Sequence, residues 1–144
     1  METHQIPQNS LTETIERIVN LSNQLCEDYY FSFSQPLSDD EIAQIEKSNC
    51  IVIPESYKDW LRFSGCSEIC GALAQFLDIR MVMDNEKLSG GDMVVIGYIM
   101  GDGEEVRFSK SNGGIFSFNH GQIHEYSSFK DVLIIIIEHL EGRL

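Results

Sequence analysis

Cys66-x-x-x-Cys70 and His120-x-x-x-His124 together have the composition of a tetrahedral zinc site, two thiolates and two imidazoles. The spacing argues against it. The usual knuckle glycines are not arranged around the cysteines, and Gly121 between the histidines indicates a hairpin, which spoils the one-face geometry that helical i, i+4 ligands need. The expectation is therefore no metal and no cofactor. His4 sits in a terminal tail, and His139, beside Glu138 on the last helix, reads as a solvated side chain. Acidic residues gather at Asp84/Glu86, at Asp92 and at Asp102/Glu104/Glu105. The last group lacks the alternating oxygen ligands and terminal Glu of an EF-hand loop. As a hydrolytic pair its carboxylates would need a cleft that raises one pKa, which neighbours on an exposed hairpin do not provide. A solvated edge is the plain reading, and its functional competitor is a charged rim that steers a basic partner. No G-x-S-x-G, P-loop, dinucleotide fingerprint or H-E-x-x-H occurs. No catalytic residue is assigned, and the chain is expected not to be an enzyme.

Four helices and an antiparallel meander must position these groups. Ser38 with Glu41 is a capping box, flanked by Leu37 and Ile42 as a hydrophobic staple, so a helix is expected over 38–48. Ile51 to Ile53 is a short apolar connector, and Pro54 opens a second helix over 54–64, with Tyr57, Trp60 and Leu61 on one stripe and Gly65 ending it at positive φ. Ser10 with Glu13 predicts another capped helix over 10–27, with Leu11, Ile15, Ile18, Ser22 and Leu25 inward. Tyr29 to Phe33 carry four aromatics that read as a covered connection, or else as an exposed interaction surface. Residues 66–91 read as a loop and then a strand from about Gln75 to Met83, although Leu73, Phe76, Leu77 and Met81 would equally line a helix. Met93 to Ile99 is a buried strand, Gly101-Asp102-Gly103 a tight turn, and Val106 and Phe108 face inward on the next strand. Asn112-Gly113 predicts a type I′ hairpin, and His120-Gly121 a further turn. Val132 to Ile137 reads as helix over 128–141 rather than strand, because Ser128 and Asp131 make a capping signal, Phe129, Val132, Leu133, Ile136, Ile137 and Leu140 share a face, and Gly142 marks an end.

The fold class that follows is α+β, an antiparallel sheet of about five strands with helices packed on one face. Residues 1–9 read as a flexible tail and 10–144 as a single domain, which suits a chain of 144 residues. Ten basic against 23 acidic residues leave a net charge of −13, which argues against nucleic-acid phosphates or anionic lipid as partners. No secretory signal is visible, and the longest aliphatic run is far short of the roughly 20 residues of a membrane span, so the expected location is cytoplasmic. Cys26, Cys50, Cys66 and Cys70 are expected to be reduced.

Ile42-x-x-Ile45-Glu46, then Ile53-Pro54-x-x-Tyr57-x-x-Trp60-Leu61 and a glycine, resembles the SUKH superfamily, the Smi/Knr group. Ile96-Gly97, Gly101-Asp102-Gly103 and the closing Ser128-Phe129-x-x-Val132-Leu133 fall in the family's order, so the resemblance runs from about Leu11 to Leu140. The chain departs from the pattern at Ser64, where the family often has Asn, and over residues 66–91. The resemblance implies a non-enzymatic protein-binding module. In bacterial relatives this is an immunity protein that masks the active site of a toxin, often a nuclease; in fungal ones it is a regulator of cell-wall glucan synthesis. The expected partner is a basic toxin domain. Charge and turn position, not a family motif, assign Asp92, Tyr98, Asp102, Glu104, Glu105 and His120 to the binding surface.

Overall fold

The computed structural model describes residues 5–144, so His4 lies outside the described residues. Among these residues seven strands form one antiparallel sheet in chain order: β1 (Phe31–Phe33), β2 (Ser67–Ile69), β3 (Ala74–Phe76), β4 (Met93–Ile99), β5 (Glu104–Ser109), β6 (Ile115–Asn119) and β7 (Gln122–Tyr126). Six α-helices accompany them among the described residues: α1 (Thr12–Leu25), α2 (Asp39–Asn49), α3 (Glu55–Leu61), α4 (Ile79–Met83), α5 (Glu86–Ser89) and α6 (Phe129–Glu141), with a 3-10 turn at Gly71–Leu73. The α+β class and the antiparallel sheet stand as read. The strand count is corrected from about five to seven, because β1 and β2, three residues each, are too short to show an alternation. The four aromatics before Pro36 split accordingly: Phe31 is buried in β1, whereas Tyr30 is 61% exposed.

The strand expected from Gln75 to Met83 is also corrected. Only Ala74–Phe76 pairs as β3; the chain then turns into α4, whose first turn is capped by Asp78 accepting from the Arg80 N–H at 2.9 Å. Ile79 and Val82 are buried at helical spacing while Met81 is 71% exposed, an arrangement a strand alternating through Met81 cannot give.

The capping box of α2 forms as expected, with Glu41 N–H donating to Ser38 Oγ at 3.1 Å and Ser38 N–H to Glu41 Oε1 at 3.0 Å. The other two expected caps do not. Ser10 donates its hydroxyl to Asp59 instead, and Asn9 Oδ1 accepts from Leu11 N–H at 2.8 Å just ahead of α1. Asp131 accepts from the Ser127 N–H and hydroxyl, and the first N–H of α6, on Phe129, is taken by Ser56 Oγ at 2.9 Å from α3. Gly142 is the C-cap of α6, the end read for it, whereas Gly65 has no positive φ and the C-cap of α3 is Arg62. Gly65 answers to a close approach, since a Cβ there would stand 3.1 Å from the Gln35 carbonyl oxygen. The two successive positive φ angles of a type I′ turn occur at His120 (51°) and Gly121 (80°), not at Asn112-Gly113, where only Gly113 is left-handed.

α2 and α3 are tied by Glu46, whose Oε2 accepts from Ile53 N–H at 2.8 Å and pairs with Lys58 Nζ at 3.1 Å. Burial works against the Lys58 charge, but the bonds to Glu46 and Glu55 outweigh it and raise its pKa. Trp60 stands among Phe33, Phe63, Phe76 and Phe129, with ring centroids 5.4 to 6.5 Å away. The inward stripes of α1, α2, α3 and α6 join the same cluster as Phe31, Ile69, Ala74, Phe76, Val106, Phe108 and Ile115 from the sheet. Those strand residues share one parity, so the helical stripes cover one face. The opposite parity is absent from that cluster.

Two outcomes follow. A Cβ on Gly97 would sit 2.3 Å from the Gln75 carbonyl oxygen, so Gly97→Ala is expected to destabilise the fold by roughly 3 kcal/mol in chemical denaturation, as overpacking at a β3–β4 contact. Hydrogen bonds from the Ser38 backbone and side chain lower the Glu41 pKa from 4.5, so its contribution is complete above that value and lost as pH falls through the lower folded-state value. In Glu41→Gln, the loss of stability on acidification below that value is expected to be shallower than in the parent chain.

Candidate functional site

The open face of the sheet is organised by register. Ser32, Glu68, Gln75, Tyr98, Glu105, Phe118 and Ile123 stand directly opposite one another in turn, one side chain from each strand. Arg107, Phe116 and Glu125 form a second row beside the last three, continued in β4 by Val95, which is buried. Because each side chain projects from a paired strand, the surface is preorganised rather than loop-borne.

Its β1–β3 end is polar, with Ser32, Glu68 and Gln75, whereas its β4–β7 part carries Tyr98, Phe116, Phe118 and Ile123. The Arg107 guanidinium lies 4.1 Å from the centroid of the Phe118 ring and donates to Glu105. That places a charge over an otherwise bare aromatic face, a favourable arrangement through the ring quadrupole. Phe116 and Phe118 are half-buried, and Ile123 is 62% exposed. Glu68 and Glu125 make no ion pair among the described residues.

The six residues assigned from the sequence fall in three places. Tyr98 and Glu105 are direct neighbours on the open face. Asp102, Glu104 and His120 gather at the turn end of the sheet. There Asn119 Nδ2 donates to both Asp102 Oδ2 and Glu104 Oε1 at 3.3 Å, while His120 occupies the adjoining turn. Asp92 lies apart, before the opposite end of β4. It accepts from Ser109 Oγ at 2.6 Å and from Ser111 N–H at 2.9 Å; the Ser109 bond, first among these, lowers its pKa. Asp92 thereby shapes the β5–β6 connection.

Sequence reasoning missed Glu68, Phe116, Phe118 and Ile123 as surface-forming residues, and it turned Arg107 outward without assigning it to the binding surface. A signal existed: in β6, apolar residues occupy both parities, Ile115 on one and Phe116 and Phe118 on the other, which a strand with one wet polar face does not show.

At the β7 end a groove of about 550 Å³ runs between the sheet and α6, lined by Glu104, Asn119, His120, His124, Tyr126 and Ile135 among others. Tyr126 Oη is 3.1 Å from Ser117 Oγ; burial raises its pKa, with the Ser117 bond working the other way. The His124 ring rests on Tyr126 with centroids 4.6 Å apart. A second hollow of about 420 Å³ lies between α2 and α4, but its one cation, Arg80, is already paired with Glu41 and Asp78.

Cys66 and Cys70 flank β2, whereas His120 and His124 are on the β6–β7 hairpin, five strand steps away and hence on the order of 20 Å apart. Among the described residues, no three His, Cys, Asp or Glu side chains converge as metal ligands. What the site offers another molecule is hydrogen bonding, aromatic contact and negative charge. No helix among the described residues is long and apolar enough to cross a membrane. No protein-family profile matches the chain, and no curated protein is significantly similar to it.

Proposed function

We propose that this protein is a SUKH-like, non-enzymatic binding module of the immunity type, which neutralises a basic, nuclease-type toxin domain by covering its active site. The observation that supports the reading most is the sheet face that the helices leave open, where a row across seven strands joins aromatic side chains to Glu68 and, in the neighbouring row, Glu125, carboxylates with no ion pair among the described residues. Aromatic anchors inside a polar rim are the usual composition of a protein-binding surface. The net charge of −13 sets the sign of the partner, because an enzyme that grips nucleic acid presents a basic cleft that carboxylates can fill. Tyr98 and Phe118 act as the buried anchors of the complex, Glu105 with Arg107 as a polar pair that can re-form across the interface, and Asp102, Glu104 and His120 as the rim.

Capture from the native cell on the immobilised chain, followed by mass spectrometry, is expected to yield a basic nuclease-type domain whose activity the chain suppresses. Recovery of a cell-wall glucan synthesis component instead would favour the regulatory reading. Turnover of a substrate by the isolated chain, abolished by one substitution, would overturn both.

For the captured domain, calorimetry is expected to show Kd rising about tenfold or more between ~0.05 and ~0.5 M salt. Tyr98→Ala and Phe118→Ala are each expected to weaken binding by about tenfold or more. Salt-insensitive binding that ignores both variants would reject the open face.

A further inference from the structure

β7 is the last strand of the sheet, and its residues Gln122 to Glu125 are exposed. The two-residue turn at His120-Gly121 makes Asn119 and Gln122 a hydrogen-bonded pair, and such pairs recur at every second residue of an antiparallel ladder. Ser117 with His124 and Ile115 with Tyr126 are then the other bonded pairs. Ile123 and Glu125 therefore turn their N–H and C=O groups away from β6, toward the free edge. Natural edge strands are commonly blunted by lysine, proline or a bulge. β7 has none of these, while β1 at the opposite edge is only three residues long.

The groove described above lies beside this edge, with Ile135 of α6 among its lining residues and His124 and Tyr126 on its β7 side. A free strand edge with a groove between it and a helix is a geometry that accepts an extended peptide. Main-chain bonds hold the segment, and every second side chain enters the groove. The charge of the groove selects that side chain. Glu104 is its one carboxylate, Asp102 shares Asn119 with it, and no lysine or arginine lines the groove.

We infer that the β7–α6 groove takes an extended, lysine- or arginine-bearing segment of the partner as an eighth strand, with the basic side chain directed to Glu104. This rests on the protein-binding reading above and names the contact that sets its specificity.

The test uses the full chain, isotope-labelled for NMR, and a short synthetic peptide of alternating lysine and valine; a peptide of alternating glutamate and valine is the control. The lysine peptide is expected to slow amide exchange at Ile123 and Glu125 by about tenfold and to shift resonances along β7 and α6, and the glutamate peptide to do neither. Glu125→Pro removes an outward N–H without breaking a bond to β6, and Glu104→Lys reverses the charge of the groove. Each is expected to lower peptide affinity by about tenfold or more, with thermal melting confirming the fold.

Unchanged exchange at Ile123 and Glu125, equal binding of the glutamate peptide, or undiminished binding by both variants would overturn the inference. So would sedimentation of the free chain as a dimer with those two amides already protected, which would give the edge to a second copy. The open-face reading fails separately, if the lysine peptide binds as expected while no basic domain is captured.

Discussion

The contact between Trp60 of α3 and Phe129 of α6, with Phe76 of the sheet against both, is the constraint on which the rest of the molecule depends. These rings bury on the order of 150–250 Å² each, the largest single contributions available to a core of this size. They hold the helical layer against one face of the sheet. Tyr57 extends the cluster to Phe108 in β5, and the Ser56 hydroxyl fixes where α6 begins by accepting the Phe129 N–H. α6 is therefore started by a side chain from α3, across a separation of 73 residues, rather than by its own N-cap.

A one-sided helical layer has a direct consequence for function. A meander in chain order, covered on one face, must leave its other face to solvent or to a partner. In this chain that face is not simply polar. Phe116, Phe118 and Ile123 lie on it, with Arg107 laid over Phe118 and bound to Glu105. The guanidinium stem and plane cover apolar surface while its charge stays wet, which limits self-association without removing the aromatic patch. The negative charge of the chain works in the same direction between copies and in the opposite direction toward a basic partner.

How much was legible in the sequence depended on whether a residue's partner was near in the chain. The Ser38–Glu41 box, the Tyr57/Trp60/Leu61 stripe and the inward face of α6 were all readable, since each is set by neighbours within one or two helical turns. The helical reading of Val132 to Ile137 survived its β-branched composition because the stripe of buried residues outweighs local propensity. Of the assigned site residues, Tyr98 and Glu105 share the open face and Asp102, Glu104 and His120 share one end of the sheet. Asp92 is engaged locally by Ser109 and Ser111. Alternation with Val106 and Phe108 turns Arg107 outward, but its place over Phe118 was not legible, since that ring is eleven residues on and reached only by strand pairing.

The sequence by itself determined the α+β class, four of the helices, the strands after Met93 and the sign of the charge, because periodicity, caps and composition are local or additive properties. Tertiary structure alone decided the two short strands β1 and β2, the turn into helix after Phe76, the cap that Ser56 supplies to α6, and the alignment of one side chain from each strand across the sheet. The physical reason is that strand register and cross-element caps are fixed by pairing between residues far apart in the chain. A three-residue strand carries too little pattern of its own to announce where it will pair.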